Sequence, residues 1–225
     1  LIRFTEDFIQ FYIDLASNNS KEWFDVNRSR YEQHVKIPFK LFVSAILDDF
    51  AAIDPSFEDV EPSKCIFRIN RDIRFSRDKT PYKLMSSAVI SSMGKTAGFS
   101  DGVYIELSPE HVRLYGGIYQ LETAGVNLIR AGIVSRMSEF KEIISEPRFV
   151  ERFGFIHGDQ NKIIPKEFRE VANHFPLLFN KQWYFYTTYS ADFILEPNFR
   201  EQVVEDYKVI RPIQQFFKSI LYENK

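Results

Sequence analysis

Apolar positions recur at helical spacing through the first quarter of the chain. Phe8, Phe11, Tyr12 and Leu15 mark one helix, with Thr5 as its expected N-cap and Asn18-Asn19 as its stop. Ser20 is the next expected N-cap. Trp23, Asn27, Tyr31 and Val35 then fall four apart, as one stripe of one helix. Pro38 kinks or restarts it, and Phe39, Phe42, Val43, Ile46, Leu47 and Phe50 continue the apolar face. Residues 54–63 hold two prolines and four acids and read as a surface loop.

After that loop the period changes to two. Strands are predicted over 65–75 and 85–92, followed by a Gly/Ser turn region over 94–102. Residues 103–107 and 112–115 form a predicted hairpin, ended by Gly116-Gly117. Helical spacing returns from 122 to 144, Pro147 opens a short helix, and 153–165 is loop-like. A short helix over 166–174, an aromatic strand over 183–189 and an amphipathic helix capped by Asn198, with Pro212 inside it, complete the chain. Strands cluster in the middle and helices flank them. The expectation is an α+β fold with a central, mostly antiparallel sheet between N-terminal and C-terminal helices, in one domain covering residues 1–225.

Composition adds one fact to this outline: 23 Phe, 11 Tyr and 2 Trp bring aromatics to 16% of the 225 residues, which predicts a Phe-filled core. A net charge of −2 argues against a surface that grips nucleic acid as a whole. The single cysteine, Cys65, excludes an internal disulfide and a thiolate zinc cluster, and the four histidines lack metal-ligand spacing, so no metal is expected. No run of about 18 apolar residues predicts a membrane span. Residues 1–7 lack the apolar stretch of a signal peptide, and the cytoplasm is the expected compartment.

Charge is distributed unevenly. From Arg68 to Lys83 the chain carries six cations (Arg68, Arg71, Arg74, Arg77, Lys79 and Lys83) against Asp72 and Asp78, a local charge of +4. In a regular strand Phe67, Ile69, Arg71, Ile73 and Phe75 share one face, apolar except for Arg71. A guanidinium on an apolar face must be paired or aimed at a ligand. Asp78-Lys79-Thr80-Pro81 reads as a turn, with an Asx acceptor and a φ-fixed proline. Three readings follow: an anion site, a docking patch for an acidic protein or RNA, and an ion-pair lattice with a purely structural role.

The run from Cys65 to Lys83, C-I-F-R-I-N-R-D-I-R-F-S-R-D-K-T-P-Y-K, resembles the signature of a bacterial and fungal family, domain of unknown function 2461. Asn18-Asn19-Ser20-Lys21-Glu22-Trp23-Phe24 resembles the family's N-terminal element, and Tyr115-Gly116-Gly117-Ile118-Tyr119 its glycine turn. The stretch from Asp159 through Lys162, Pro165 and Lys166 to Phe168 resembles a fourth family motif. The likeness spans nearly the whole chain. It implies no activity, because the family has none established, and it assigns no residue a role. One departure stands out: where relatives often run Pro-Tyr-Lys-x-x-Phe-Gly, this chain has Pro81-Tyr82-Lys83-Leu84-Met85-Ser86-Ser87.

Other motifs carry less. Ser92-Met93-Gly94-Lys95-Thr96 lacks the upstream glycine and the following helix of a phosphate loop. Ser76-Arg77-Asp78-Lys79 has the spacing of a serine acyl-enzyme, but on a strand and turn rather than a helix. Alternating aromatics over 183–189 suit a core strand better than a base-stacking surface. The chemistry that remains is a pocket for a small phosphorylated or carboxylated molecule. Arg68, Arg71, Arg74, Lys79 and Lys83 would bind the anion. Asp72 and Asp78 would orient the guanidinium groups, and Trp23, Tyr82, Gly116 and Gly117 would form the wall. Either Lys79 or Lys83, beside arginines, would be the base if the site is catalytic. No cofactor, catalytic reaction or oligomeric state is legible.

Overall fold

The structure is a computed structural model that describes residues 3–97 and 102–222. Helix α1 spans Glu6–Ser17. Thr5 occupies its N-cap position with an extended backbone, and its carbonyl rather than its hydroxyl receives the Phe8 N–H. Ser20 caps α2 (Lys21–Val26) through its side chain, accepting from the Trp23 N–H at 3.2 Å.

The predicted single helix beyond Trp23 is segmented. Asn27 separates α2 from α3 (Arg28–Tyr31), and one π turn (Glu32–Lys36) precedes α4 (Ile37–Ala51). Pro38 has no N–H to give to residue 34. The chain opens there, and the Ile37 N–H reaches back to the Glu32 carbonyl. The Trp23–Val35 stripe still faces inward.

Helix α5 is one turn (Pro62–Cys65). Strands β1 (Ser86–Ile90), β2 (Val103–Leu107) and β3 (Val112–Ile118) follow. Then come α6 (Thr123–Ser135), α7 (Met137–Ser145), α8 (Pro147–Phe153), α9 (Lys166–His174), β4 (Trp183–Tyr189) and α10 (Phe199–Tyr222), which contains Pro212. The four strands form one antiparallel sheet in the order β1-β2-β3-β4, and the α+β class stands.

Further expectations are corrected. No regular strand covers 65–75; the arm makes only isolated antiparallel bridges, Ile66 with Ala88 and Asn70 with Tyr82. Moving four residues along one side matches six on the other, so the pairing bulges between the two bridges. Beyond Asn70, side chains take over the backbone donors that a ladder would need. The Asp72 carboxylate accepts the Arg74 N–H, and that of Asp78 accepts the Thr80 N–H. Phe75, placed by alternation on the apolar face, is 95% exposed.

Two more corrections concern element bounds, and the turn region keeps its expected character where it is described. Strand β3 runs through Gly116-Gly117 instead of stopping there. The helix predicted over 122–144 breaks at Arg136, between α6 and α7. Of the turn region 94–102, Gly94–Ala97 is a 3-10 turn, and residues 98–101 lie outside the described residues.

The chain divides into two compact units. The first comprises residues 1–96, 104–114 and 188–204. Its core joins Phe8, Phe11, Tyr12 and Leu15 of α1 to Phe39, Phe42, Ile46 and Phe50 of α4, with Ala88 and Ile90 of β1 also buried.

The second unit comprises residues 97–103, 115–187 and 205–225, with Trp183 and Phe185 of β4 buried among Phe149, Phe153 and the C-terminal helix. Here Arg130 is 1% exposed and has no carboxylate. Its guanidinium donates instead to the carbonyls of Leu178 (2.8 Å) and Asn180 (3.0 Å) and to Asn127 Oδ1 (2.9 Å). Gly117, at φ 99°, lets β3 press on β4: a Cβ there would sit 2.1 Å from the Trp183 carbonyl oxygen.

Substitution of Gly117 by Ala is therefore expected to cost about 2 kcal/mol or more, through clash and positive-φ strain together. Gly125→Ala, where a helical Cβ meets only Leu121 at 3.4 Å, is expected to gain about 0.5 kcal/mol. Urea unfolding midpoints of the two variants should shift in opposite directions.

Candidate functional site

The basic arm is held in the first unit by one side chain. Asn19, just past the end of α1, donates from Nδ2 to the Tyr82 carbonyl at 2.9 Å and accepts the Tyr82 N–H on Oδ1 at 3.1 Å. The amide thus acts as a one-residue strand, satisfying both main-chain groups of Tyr82 on the side away from Asn70. The Tyr82 ring stacks on Phe24 of α2, centroids 4.1 Å apart and planes 19° apart, and Arg28 lies over Phe24 at 5.4 Å. Burial is the main reason the Tyr82 phenol is held above its usual range, with Asp25 adding to it.

A cleft of about 500 Å³ opens between this arm and the helices that follow Asn27. Tyr12, Tyr31, Phe39 and Phe67 line it, and the Tyr12 hydroxyl lies 2.7 Å from Ser86 Oγ. Five cations reach it: Arg28, Lys36, Lys40, Arg68 and Lys95. Glu32 is the one carboxylate in the lining, and Lys36 already neutralises it at 2.7 Å. Arg28 pairs with Asp25 at 2.5 Å. Among the described residues, Arg68 and Lys40 make no hydrogen bond and no ion pair.

Lys83 lies beside the cleft. Its Nζ is 5.2 Å from the centroid of Phe67, and Lys95 Nζ is 5.7 Å from the same centroid. Burial pulls the Lys83 pKa below its ordinary value, and the positive charges of Arg68 and Lys95 add to the shift.

The rest of the basic segment is elsewhere. Arg71 donates to the Asp78 carboxylate and the Thr80 hydroxyl, closing the turn that leads into Pro81. Arg74 forms a two-pronged pair with Asp72 at 2.7 and 3.0 Å on an exposed loop. Lys79 Nζ is tied to the Ile73 carbonyl at 2.9 Å. Asp72 and Asp78 therefore orient guanidinium groups, but those of the loop. Trp23 packs on Phe11 at 5.6 Å and does not line the cleft. Gly116 and Gly117 belong to the second unit, where they pack against Phe185 and Trp183.

Sequence reading missed Asn19, Phe67, Lys95 and the helical cations. A signal was present: Arg28, Glu32, Lys36 and Lys40 recur four apart, one position on from the Trp23–Val35 stripe, which marks a charged face flanking a buried one. Lys95 was masked by its place in a string resembling a phosphate loop. Among the described residues no three His, Cys, Asp or Glu side chains group as metal ligands. The cleft offers charge and hydrogen bonds, which suits holding a small anion.

Two outcomes test this geometry. Asn19→Ala is expected to destabilise the protein by about 1–2 kcal/mol in urea, because both main-chain groups of Tyr82 lose a partner. Asp78 is held down to about 2, chiefly by the Thr80 N–H and then by Arg71. A depressed carboxylate stabilises the fold above its unfolded pKa near 3.8 and loses that contribution as pH falls through about 2. The stability gap between wild type and Asp78→Asn should accordingly be constant above about pH 5 and close progressively below pH 4 in pH-dependent unfolding.

No curated protein matches the chain significantly. The family described as conserved hypothetical protein (DUF2461) matches residues 7–216, which takes in the helices of the first unit, the basic arm, the whole sheet and most of α10. With that match covering nearly its full length, the chain belongs to the DUF2461 family of conserved hypothetical proteins.

Proposed function

We propose that the protein binds a small phosphorylated or carboxylated molecule in the cleft of the first unit. The observation that carries this reading is the imbalance of charge in a concave site: five cations, with one carboxylate that is already paired. Arg68 and Lys40 have no acceptor among the described residues and are the principal anion ligands; Lys95 and Arg28 frame them. A volume near 500 Å³ is in the range of small-molecule sites. Shape supports a ligand over an extended acidic partner, for which a flat patch would serve better. The loop carrying Arg71 and Arg74 is threaded with acids, and its role in this reading is to shape the arm. No helix among the described residues is long and apolar enough to cross a membrane. Cys65 is a buried cysteine outside any disulfide, which suits a reducing compartment, and the ligand is taken to be cytoplasmic.

A thermal-shift screen of phosphate, sulfate, nucleotides, sugar phosphates and small carboxylates tests the proposal. A ligand at a hundred times its Kd should stabilise the wild type by about 2.7 kcal/mol. Arg68→Ala should lose that shift while melting near the wild-type temperature. Arg71→Ala should melt lower, by about 1 kcal/mol of stability, and keep the shift. If no anion moves the wild type, the reading fails.

A further inference from the structure

Lys83 and Lys95 face the Phe67 ring, Arg68 lies close enough for its charge to act on Lys83, and the three are not equivalent. Lys95 Nζ donates to the Ile66 carbonyl at 2.6 Å and to the Ser63 carbonyl at 3.5 Å, so its ammonium protons are held by oxygen. Arg68 keeps its charge at any accessible pH. Lys83 Nζ has the ring at 5.2 Å but, among the described residues, no hydrogen-bond acceptor and no carboxylate. Its main chain is fixed, the N–H donating to the Ile69 carbonyl at 2.8 Å, so the side chain starts from a defined point on the arm. Burial takes water from the ammonium, and the positive charges of Arg68 and Lys95 repel it. Both make its proton easier to lose than that of an ordinary lysine, and the deprotonated amine is a nucleophile.

Resting on the reading that the cleft takes an anion, we propose that Lys83 is a nucleophilic amine that captures the carbonyl carbon of an anionic aldehyde or keto acid as a Schiff base. Arg68 holds the phosphate or carboxylate of that molecule, with Lys95 framing it, which brings its carbonyl to the amine. The nitrogen lone pair forms the new C–N bond, the two amine protons pass to the carbonyl oxygen, and the C–O bond breaks to release that oxygen as water. An imine between Nζ and the former carbonyl carbon remains. No oxidant or metal is required. The lowered proton affinity of Lys83 agrees with this assignment.

Pyridoxal 5′-phosphate joins an aldehyde to a phosphate and serves as the probe. The full chain is incubated with it near neutral pH, the imine is reduced with cyanoborohydride, and the modified lysine is located by peptide mass spectrometry with and without inorganic phosphate. The expected result is a label on Lys83 that phosphate displaces. Lys83→Arg, which keeps the charge, should lose that label. The wild-type peptide map decides the question even if the variant folds poorly. A label on Lys95 or Lys40 instead, still displaced by phosphate, would leave the anion site standing and overturn the choice of amine. Labelling scattered over surface lysines and indifferent to phosphate would overturn both.

Discussion

Everything proposed for the first unit depends on a single primary amide. The Asn19 side chain grips the Tyr82 main chain from one side, while Asn70 bridges the same residue from the other. An amide is well chosen for this: it presents a donor and an acceptor at the spacing of a peptide group, so it can finish a ladder where no strand is available. The ring of Tyr82 is thereby set flat on Phe24, and Arg28 and the helical cations beyond it acquire a fixed distance from the arm. Without the clamp, the helices after Ser20 and the arm after Cys65 have little shared hydrogen bonding, and a cleft between them would have no defined width.

Charge is handled in two different ways within sixteen residues. Toward the loop tip Arg71 and Arg74 each meet a carboxylate, seven and two residues away, and the pairs brace turns. Toward the cleft Arg68 and Lys83 form no ion pair among the described residues, and Lys95 and Lys40 are added to them from other elements. Exposed pairs of the first kind contribute little to stability beyond their local geometry. Groups of the second kind repel one another, and that repulsion is relieved when an anion arrives. The free energy released is available for binding, which is why an unpaired cluster in a concave site is more informative than a paired one.

Much of this was legible in the chain itself. The helix Lys166–His174 and the strand Trp183–Tyr189 have the predicted bounds, because each is set by strong periodicity between proline-rich or polar stops. Arg68 and Lys83, on which the proposed anion site draws, stood out by local charge alone. The strand expected over 65–75 was not realised, since alternation reports which side chains point inward but not where backbone donors find acceptors. Asp72 and Asp78 take those donors locally. The pairing of Arg71 needed the turn at Thr80-Pro81 to fold back on it, a contact that spacing cannot express. Gly116-Gly117 looked like a stop because glycine often is one; here it admits a neighbouring strand too closely for any side chain. The cations of α3 and α4 were overlooked since a charged helical face is usually solvated, and only the position of the arm distinguishes this one.

The end of the arm's pairing at the Asn70–Tyr82 bridge has a consequence for how such a protein can diverge. Residues 72–79 hang beyond the last bridge, Asn70 with Tyr82, and fold on their own hydrogen bonds. Their length is therefore uncoupled from the register that sets Arg68, Tyr82 and Lys83. Insertions or deletions at the tip can accumulate there and remodel whatever lies at the outer edge, while the cleft keeps its geometry. The fold separates a segment free to drift from one that is not, within a stretch of sequence shorter than a single long helix.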